Sequence, residues 1–344
     1  MTKCALASNA CAVCDACRPY ELRLFGDSVS FIHIPKVAGS STIQEFRDQI
    51  PVFYPGAPAG REHCLLWDQL QRPHYEHFVI LRSPRAHVWS QFAMCKYAVG
   101  KMRAEITAAF PRTGTTSTSD DRDFMAWVSH FSLSPTTRDN FNCYHPQNMQ
   151  ARYMTCSTPP NYAETWNGDG HNVPSSGPRV PPLAQAKSNI EKLDVLGSLD
   201  FMHETICLVY SRLAGACMHA ALAAHGCACS SDGSRSANAT LGEIHTTHHA
   251  LGHRDNYDFE PALLEQIDSI TQVDRSLYLM GLQRFMCEMR ILEQWAGHRV
   301  LCDDALSAKQ HELAYMVNIT QLYHEAWPPD SPGPGAMTTC NAQA

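Results

Sequence analysis

The sequence predicts an α/β fold with a central parallel sheet and additional C-terminal helices. Two observations carry this. Short, mainly apolar segments with β-branched residues are each followed by a tight loop and a helical pattern. Strand-like and helix-like patterns also interleave along the chain without an internal repeat, which favours one α/β domain over two smaller ones.

The segment from Ser28 to Ile34 reads as a buried strand, Pro35 to Ala38 as a turn, and Gly39 to Ile50 as a helix. His77 to Arg82 repeats the strand pattern, and a helix from Pro84 to Tyr97 follows, with proline in its first turn where no N–H is needed. Asp121 to Phe131 is predicted helical, 158–182 a long Pro/Gly/Asn/Ser loop, and Val195 to Gly197 a short strand. Phe201 to His225 reads as one long amphipathic helix, and Gly226 to Gly242 as a loop containing Cys227 and Cys229. Pro261 to Thr271, Asp274 to Gly297 and Asp304 to Trp327 are predicted as three C-terminal helices. The expected organisation is a Cys-rich segment over 1–24, one domain over 25–327, and a disordered tail over 328–344.

The chain has 344 residues and a formal net charge of -7, which argues against a general nucleic-acid binder with a basic stripe. An anion site must then be built locally, from a few Lys and Arg side chains and helix N-termini. Fifteen cysteines favour an oxidising compartment, and the sequons Asn238-Ala239-Thr240 and Asn318-Ile319-Thr320 are compatible with it. Against this, the N-terminal residues show no apolar run of signal or anchor length, so a cytoplasmic location stays open. Cys11, Cys14 and Cys17 have metal-ligand spacing, but no second pair follows, and disulfides or free thiols are the simpler expectation. His245, His248, His249 and His253 lack a clear ligand spacing, and a flexible lid is as good a reading.

Two motifs carry chemistry. In Phe31-Ile-His-Ile-Pro-Lys-Val-Ala-Gly-Ser-Ser-Thr42, a strand leads into a loop and a helix N-terminus, where backbone N–H groups and the helix dipole attract an anion. Lys36 supplies charge, Ala38 and Gly39 backbone, and Ser40, Ser41 and Thr42 hydroxyls. This is phosphate-loop logic without the Walker pattern, because the lysine precedes the glycine. In the second motif, Arg82-Ser-Pro-Arg-Ala-His-Val-Trp-Ser90, a guanidinium at the strand end and a hydroxyl on the next helix can clamp a phosphate monoester.

The first motif resembles the 5′-phosphosulfate loop of sulfotransferases that use 3′-phosphoadenosine 5′-phosphosulfate (PAPS). The second resembles their 3′-phosphate motif R-D-P-x-x-R-x-x-S, with Ser83 in place of Asp. Asn148 to Tyr153, Leu196 to Asp200 with Glu204, and Asp274 to Tyr278 with Arg284-Phe285 resemble further segments of the Golgi carbohydrate enzymes, including the heparan sulfate 2-O- and 6-O-types. The resemblance runs from Phe31 to about Phe285. It implies a three-layer P-loop-like nucleotide-binding fold, PAPS as donor, no metal, and a carbohydrate or other hydroxyl acceptor in the Golgi lumen or secretory pathway.

By the same resemblance, Lys36 neutralises the leaving oxygen, residues 38–42 hold the phosphosulfate, and Arg82 and Ser90 hold the 3′-phosphate. Arg152 and Ser198 assist with the nucleotide. His63, in Glu62-His-Cys-Leu-Leu-Trp67, is the expected general base, with Glu62 in reserve. The competing expectations are an ATP-dependent small-molecule kinase and a non-catalytic binding protein of the same fold. Simpler structural roles are expected for His33 (core) and for His87 and Trp89 (helix packing). Cys143 and Cys156, flanking the third segment, are expected as a candidate disulfide pair.

Overall fold

The computed structural model describes residues 29–46, 65, 76–97, 108–109, 117–133, 143–155, 181–214, 218–235 and 259–326. Among these, a small parallel sheet is surrounded by many helices, an α/β arrangement. Strands β1 (Val29–Ile32), β2 (Glu76–Leu81) and β3 (Val195–Ser198) lie in the order β1-β2-β3. Ile32 pairs with Val79 and Leu81 with Ser198, so the three strands end at one edge of the sheet. Nearly every strand residue is buried, as expected for parallel strands covered on both faces.

The helices are α1 (Gly39–Phe46), α2 (Pro84–Tyr97), α3 (Ser117–Leu133), α4 (Met149–Thr155) and α5 (Leu183–Glu191). After β3 and a short 3-10 turn (Leu199–Phe201) come α6 (Met202–Ala214), α7 (Met218–Ala224), α8 (Pro261–Ile270), α9 (Gln272–Ala296), α10 (Asp303–Leu313) and α11 (Ile319–Glu325).

Side-chain alternation assigns helices to both faces of the sheet. Phe31 and Phe78 stack at 4.6 Å, and Phe46 of α1 meets Phe78 edge-on at 6.4 Å. Tyr210 of α6 meets Phe46 at 5.2 Å, so α1 and α6 cover this face. On the other face Gly281 of α9 allows close approach: a Cβ there would lie 2.8 Å from Leu81 Cδ1 and 3.1 Å from Leu196 Cδ2. Beneath α9, Arg284 donates to the carbonyls of Ile190 and Leu193 at the end of α5, supplying those orphan acceptors with partners. A second cluster joins α2 to α3 through Trp89, Phe92, Phe124 and Trp127, with Lys96 and Asp123 buried as an ion pair at 2.6 Å.

Several expected elements differ. Phe201 to His225 is not one helix: a 3-10 turn precedes α6, and α7 is separate. The disulfide Cys207–Cys227 ties α6 to the end of α7, an antiparallel return that a single helix would not permit. Asp304 to Trp327 is divided into α10 and α11 by a turn, because Asn318 caps a new helix with its side chain. The α9 helix starts at Gln272 and ends where Gly297 turns left-handed at φ 72°, a common helix stop. Cys143 pairs with Cys95, not with the suggested Cys156, which lies outside the described residues. A third disulfide, Cys229–Cys302, closes the loop after α7 onto α10. Each bond constrains the unfolded chain and is worth roughly 2–4 kcal/mol. The Cys-rich segment, the histidine cluster 245–253 and the tail fall outside the described residues. Among the described residues no helix is long and apolar enough to cross a membrane.

Candidate functional site

The two motifs meet at the C-terminal edge of the sheet. The β1–α1 loop holds two non-glycine residues in left-handed conformation, Lys36 at φ 62° and Ala38 at φ 63°. Each costs roughly 1–2 kcal/mol for an L-residue, and such strain concentrates at functional loops. Packing holds it in place. Val37, between them, is fully buried. His87 of α2 donates from Nε2 to the carbonyl of Pro35 at 2.7 Å. Burial pushes the His87 pKa down to about 3, with Arg82 and Lys36 adding to the effect, so the ring is neutral and its proton sits on Nε2.

At the start of α1, the backbone N–H and the hydroxyl of Thr42 both donate to the carbonyl of Ala38, each at 2.9 Å. The Thr42 hydroxyl therefore braces the loop in this conformation. Gly39 is required by a neighbour: a Cβ would lie 1.8 Å from the ring of His33. His33 is buried and stacks on Phe31 at 5.8 Å, the core position expected for it. Gly39→Ala is expected to cost about 1–3 kcal/mol by overpacking. His33→Ala should recover much of that loss, an interaction that a double-mutant cycle in urea would measure.

Arg82 follows β2 and donates from Nη1 to the carbonyl of Lys36 at 3.1 Å, so the two motifs touch. Arg82 is mostly buried. Burial pushes its pKa down, and the Asp200 and Glu312 carboxylates pull it back up. Its backbone is gripped by Gln150, whose Oε1 accepts from Arg82 N at 2.9 Å while Nε2 donates to Arg82 O at 2.8 Å.

Gln150 is in turn fixed by a reciprocal cap. Asp274 accepts from the N–H groups of Gln150 (3.1 Å) and Ala151 (2.8 Å) at the start of α4. Asn148 Oδ1 accepts from Val273 (2.9 Å) and Asp274 (3.2 Å) at the start of α9. Asn148 itself adopts φ 45°, which asparagine tolerates better than most residues. Burial raises the Asp274 pKa to about 7, and the two N–H bonds and Arg152 oppose the rise.

Asp200, just past β3, braces the other side. It accepts from the Ser83 N–H at 2.9 Å, the Ser83 hydroxyl at 3.1 Å and the Tyr278 hydroxyl at 2.8 Å. Ser198 Oγ lies 3.4 Å from Tyr278 and is buried, while its backbone exchanges bonds with Thr205 Oγ1. Ser198 is thus part of the brace behind Arg82. Arg152 is on α4, half-buried, and burial lowers its pKa to about 10. Ser90 is half-buried on α2, and Ser41 is buried in the first turns of α1. Ser40 lies in that same first turn. His63 and Glu62, the expected base and its reserve, lie outside the described residues.

The structure therefore brings the Lys36 carbonyl against Arg82, with Ala38, Gly39 and Thr42 following in the same loop and helix start, and Ser198 joined to Asp200 through Tyr278. Sequence reasoning missed the supporting roles of His87, Gln150, Asp200, Tyr278 and Asp274. His87 was read as packing alone. Gln150, Asp200 and Asp274 stand in segments that carry the resemblance, but nothing local in the sequence says which backbone groups they hold.

The loop's attachment to His87 has a pH consequence. The ring takes up a proton near pH 6.5 when unfolded and only near pH 3 when folded, so the unfolded state binds more protons between these values. Stability from this group is complete above pH 6.5 and is lost as pH falls toward 3. His145, also lowered to about 3 by burial, acts in the same direction, and Asp274 acts oppositely. Wild type is expected to lose more stability than His87→Asn between pH 7.5 and 5, read from urea midpoints at the two pH values.

No family model, curated protein or solved structure matches this chain in comparisons with known proteins.

Proposed function

We propose that the chain is a PAPS-dependent O-sulfotransferase acting on a carbohydrate or another hydroxyl acceptor, with a P-loop-like nucleotide site at the sheet edge. The observation that carries this reading is the contact of the strained Lys36–Ala38 loop with Arg82 at the C-terminal ends of parallel strands. Ligands of open α/β sheets bind at that edge. The residues fit the donor chemically. A helix N-terminus and Lys36 suit a phosphosulfate, and a buried guanidinium beside them suits a phosphate monoester. The disulfides are compatible with a secretory or lumenal setting.

PAPS, when bound, supplies the activated sulfuryl group. This chain's residues then bind and orient it. Lys36 offsets charge that grows on the leaving oxygen, and the backbone of residues 38–42 holds the phosphosulfate. Arg82, set by Gln150 and Asp200, holds the 3′-phosphate with Ser90. Arg152 and Ser198 assist with the nucleotide, as the resemblance implies. His63 takes the acceptor's proton. Positioning and charge stabilisation do most of the work in such transfers.

The test is thermal shift with adenosine 3′,5′-bisphosphate, ATP and ADP. Stabilisation by the bisphosphate alone is expected, with Arg82→Ala weakening it by roughly 10–100-fold, the value of charge-assisted hydrogen bonds of ~1.5–3 kcal/mol. A shift with ATP instead would move the reading to a kinase, and no shift with either nucleotide would remove the donor site.

A further inference from the structure

We propose that Asn318 is an N-glycosylation site whose amide serves two purposes at once, with Oδ1 capping a helix and Nδ2 carrying the glycan. The inference is independent of the sulfotransferase reading. Asn318 is exposed and sits at the N-cap of α11, with φ -80° and ψ 100°. Its Oδ1 accepts from Gln321 N at 3.0 Å, and its backbone carbonyl accepts from Leu322 N at 2.9 Å. The next residue, Ile319, is fully buried and anchors the segment, and Thr320 completes the sequon, half-buried, with its N–H donating to Gln310 Oε1 at 3.2 Å.

A cap requires only an acceptor oxygen, so Asp, Ser or Thr would serve α11 equally well. Asparagine alone adds an amide nitrogen, here on an exposed residue. Glycosylation leaves the cap untouched. The bond formed joins Nδ2 to C1 of the first sugar, and the bond broken joins that C1 to a lipid-linked diphosphate carrier. One Nδ2 proton is lost to a base, the carrier leaves as its diphosphate, and nothing is oxidised or reduced. Oδ1 remains an amide oxygen and still accepts from Gln321. The exposed position leaves room for a glycan on the folded chain. Three disulfides among the described residues fit the oxidising lumen in which that donor acts.

The experiment directs the full chain into the secretory pathway of eukaryotic cells, in an Asn238→Gln background that removes the other sequon. Peptide N-glycosidase digestion in water labelled with heavy oxygen, followed by peptide mass spectrometry, reads Asn318 directly. The expected result is heavy-labelled aspartate at 318, and a single glycan step in gel mobility lost in both Asn318→Asp and Thr320→Ala. Asn318→Asp keeps an acceptor at the cap, so it should melt within a degree or two of the Asn238→Gln chain made with N-glycosylation blocked, which separates loss of the glycan from loss of the helix. Recovery of residue 318 as an unmodified asparagine in the folded, secreted protein would overturn the proposal, as would a glycan step that survives Asn318→Asp.

Discussion

On the proposed sulfotransferase reading, replacing Lys36 with glycine is expected to leave the fold intact and to lower turnover sharply. Lys36 is held at φ 62° by its surroundings, and glycine reaches that region without the Cβ penalty. The relief, roughly 1–2 kcal/mol, is offset by the ~0.5–1 kcal/mol of extra backbone freedom glycine brings to the unfolded chain. Stability in urea should therefore stay within about 1 kcal/mol of wild type. The ammonium is gone, however, and removing a group aimed at developing charge typically costs ~10²–10³-fold in rate. Sulfuryl transfer from PAPS to a panel of glycan acceptors measures this loss. Retention of rate within a few-fold would assign the left-handed lysine to loop geometry alone. Bisphosphate binding measured on the same variant separates charge on the leaving oxygen from simple loss of the nucleotide.

Glu288→Ala should produce the largest loss of stability. Glu288 sits on the buried side of α9 with side-chain exposure of 2%, between Arg284 Nε at 2.7 Å and Arg212 Nη2 at 3.4 Å. Arg212 is equally buried, at 1%. Removing the carboxylate leaves two desolvated guanidinium groups without it, and breaking a buried pair costs about 3–5 kcal/mol. Arg284 also holds the carbonyls of Ile190 and Leu193, so the end of α5 should loosen with it. A lowered urea midpoint with unchanged slope is the expected signature. A variant with Met at both 212 and 288 should recover part of the loss, because apolar groups of similar volume often replace buried ions at little cost. A midpoint for Glu288→Ala close to wild type would show that water or rearrangement compensates the cluster.

The strands, the two motif loops and the helices at Pro84, Pro261 and Asp274 were legible because each is written locally. Apolar β-branched runs make strands, proline opens a helix and glycine closes one. Gly39 was also flagged, although as room for an anion. In the fold, a Cβ at this position would collide with the His33 ring. Of the two helix errors, one was decided by a distant segment and the other by a local cap that periodicity does not read. Sequence periodicity joined 201–225 into one helix, but the Cys207–Cys227 bond demands a return. It ran α10 into α11, but the Asn318 cap starts the chain afresh.

What the sequence by itself determined is the inventory: an α/β chain, a lysine–glycine loop, an arginine at a strand end, and cysteines enough for several cross-links. What only the tertiary structure decided is which groups hold that loop and that arginine. Gln150, Asp200 and His87 act on backbone atoms 68, 117 and 52 residues away in the chain. A backbone N–H or C=O looks the same at every position in a sequence. Its partner is selected when the sheet and helices pack and any buried polar group left unpaired becomes costly.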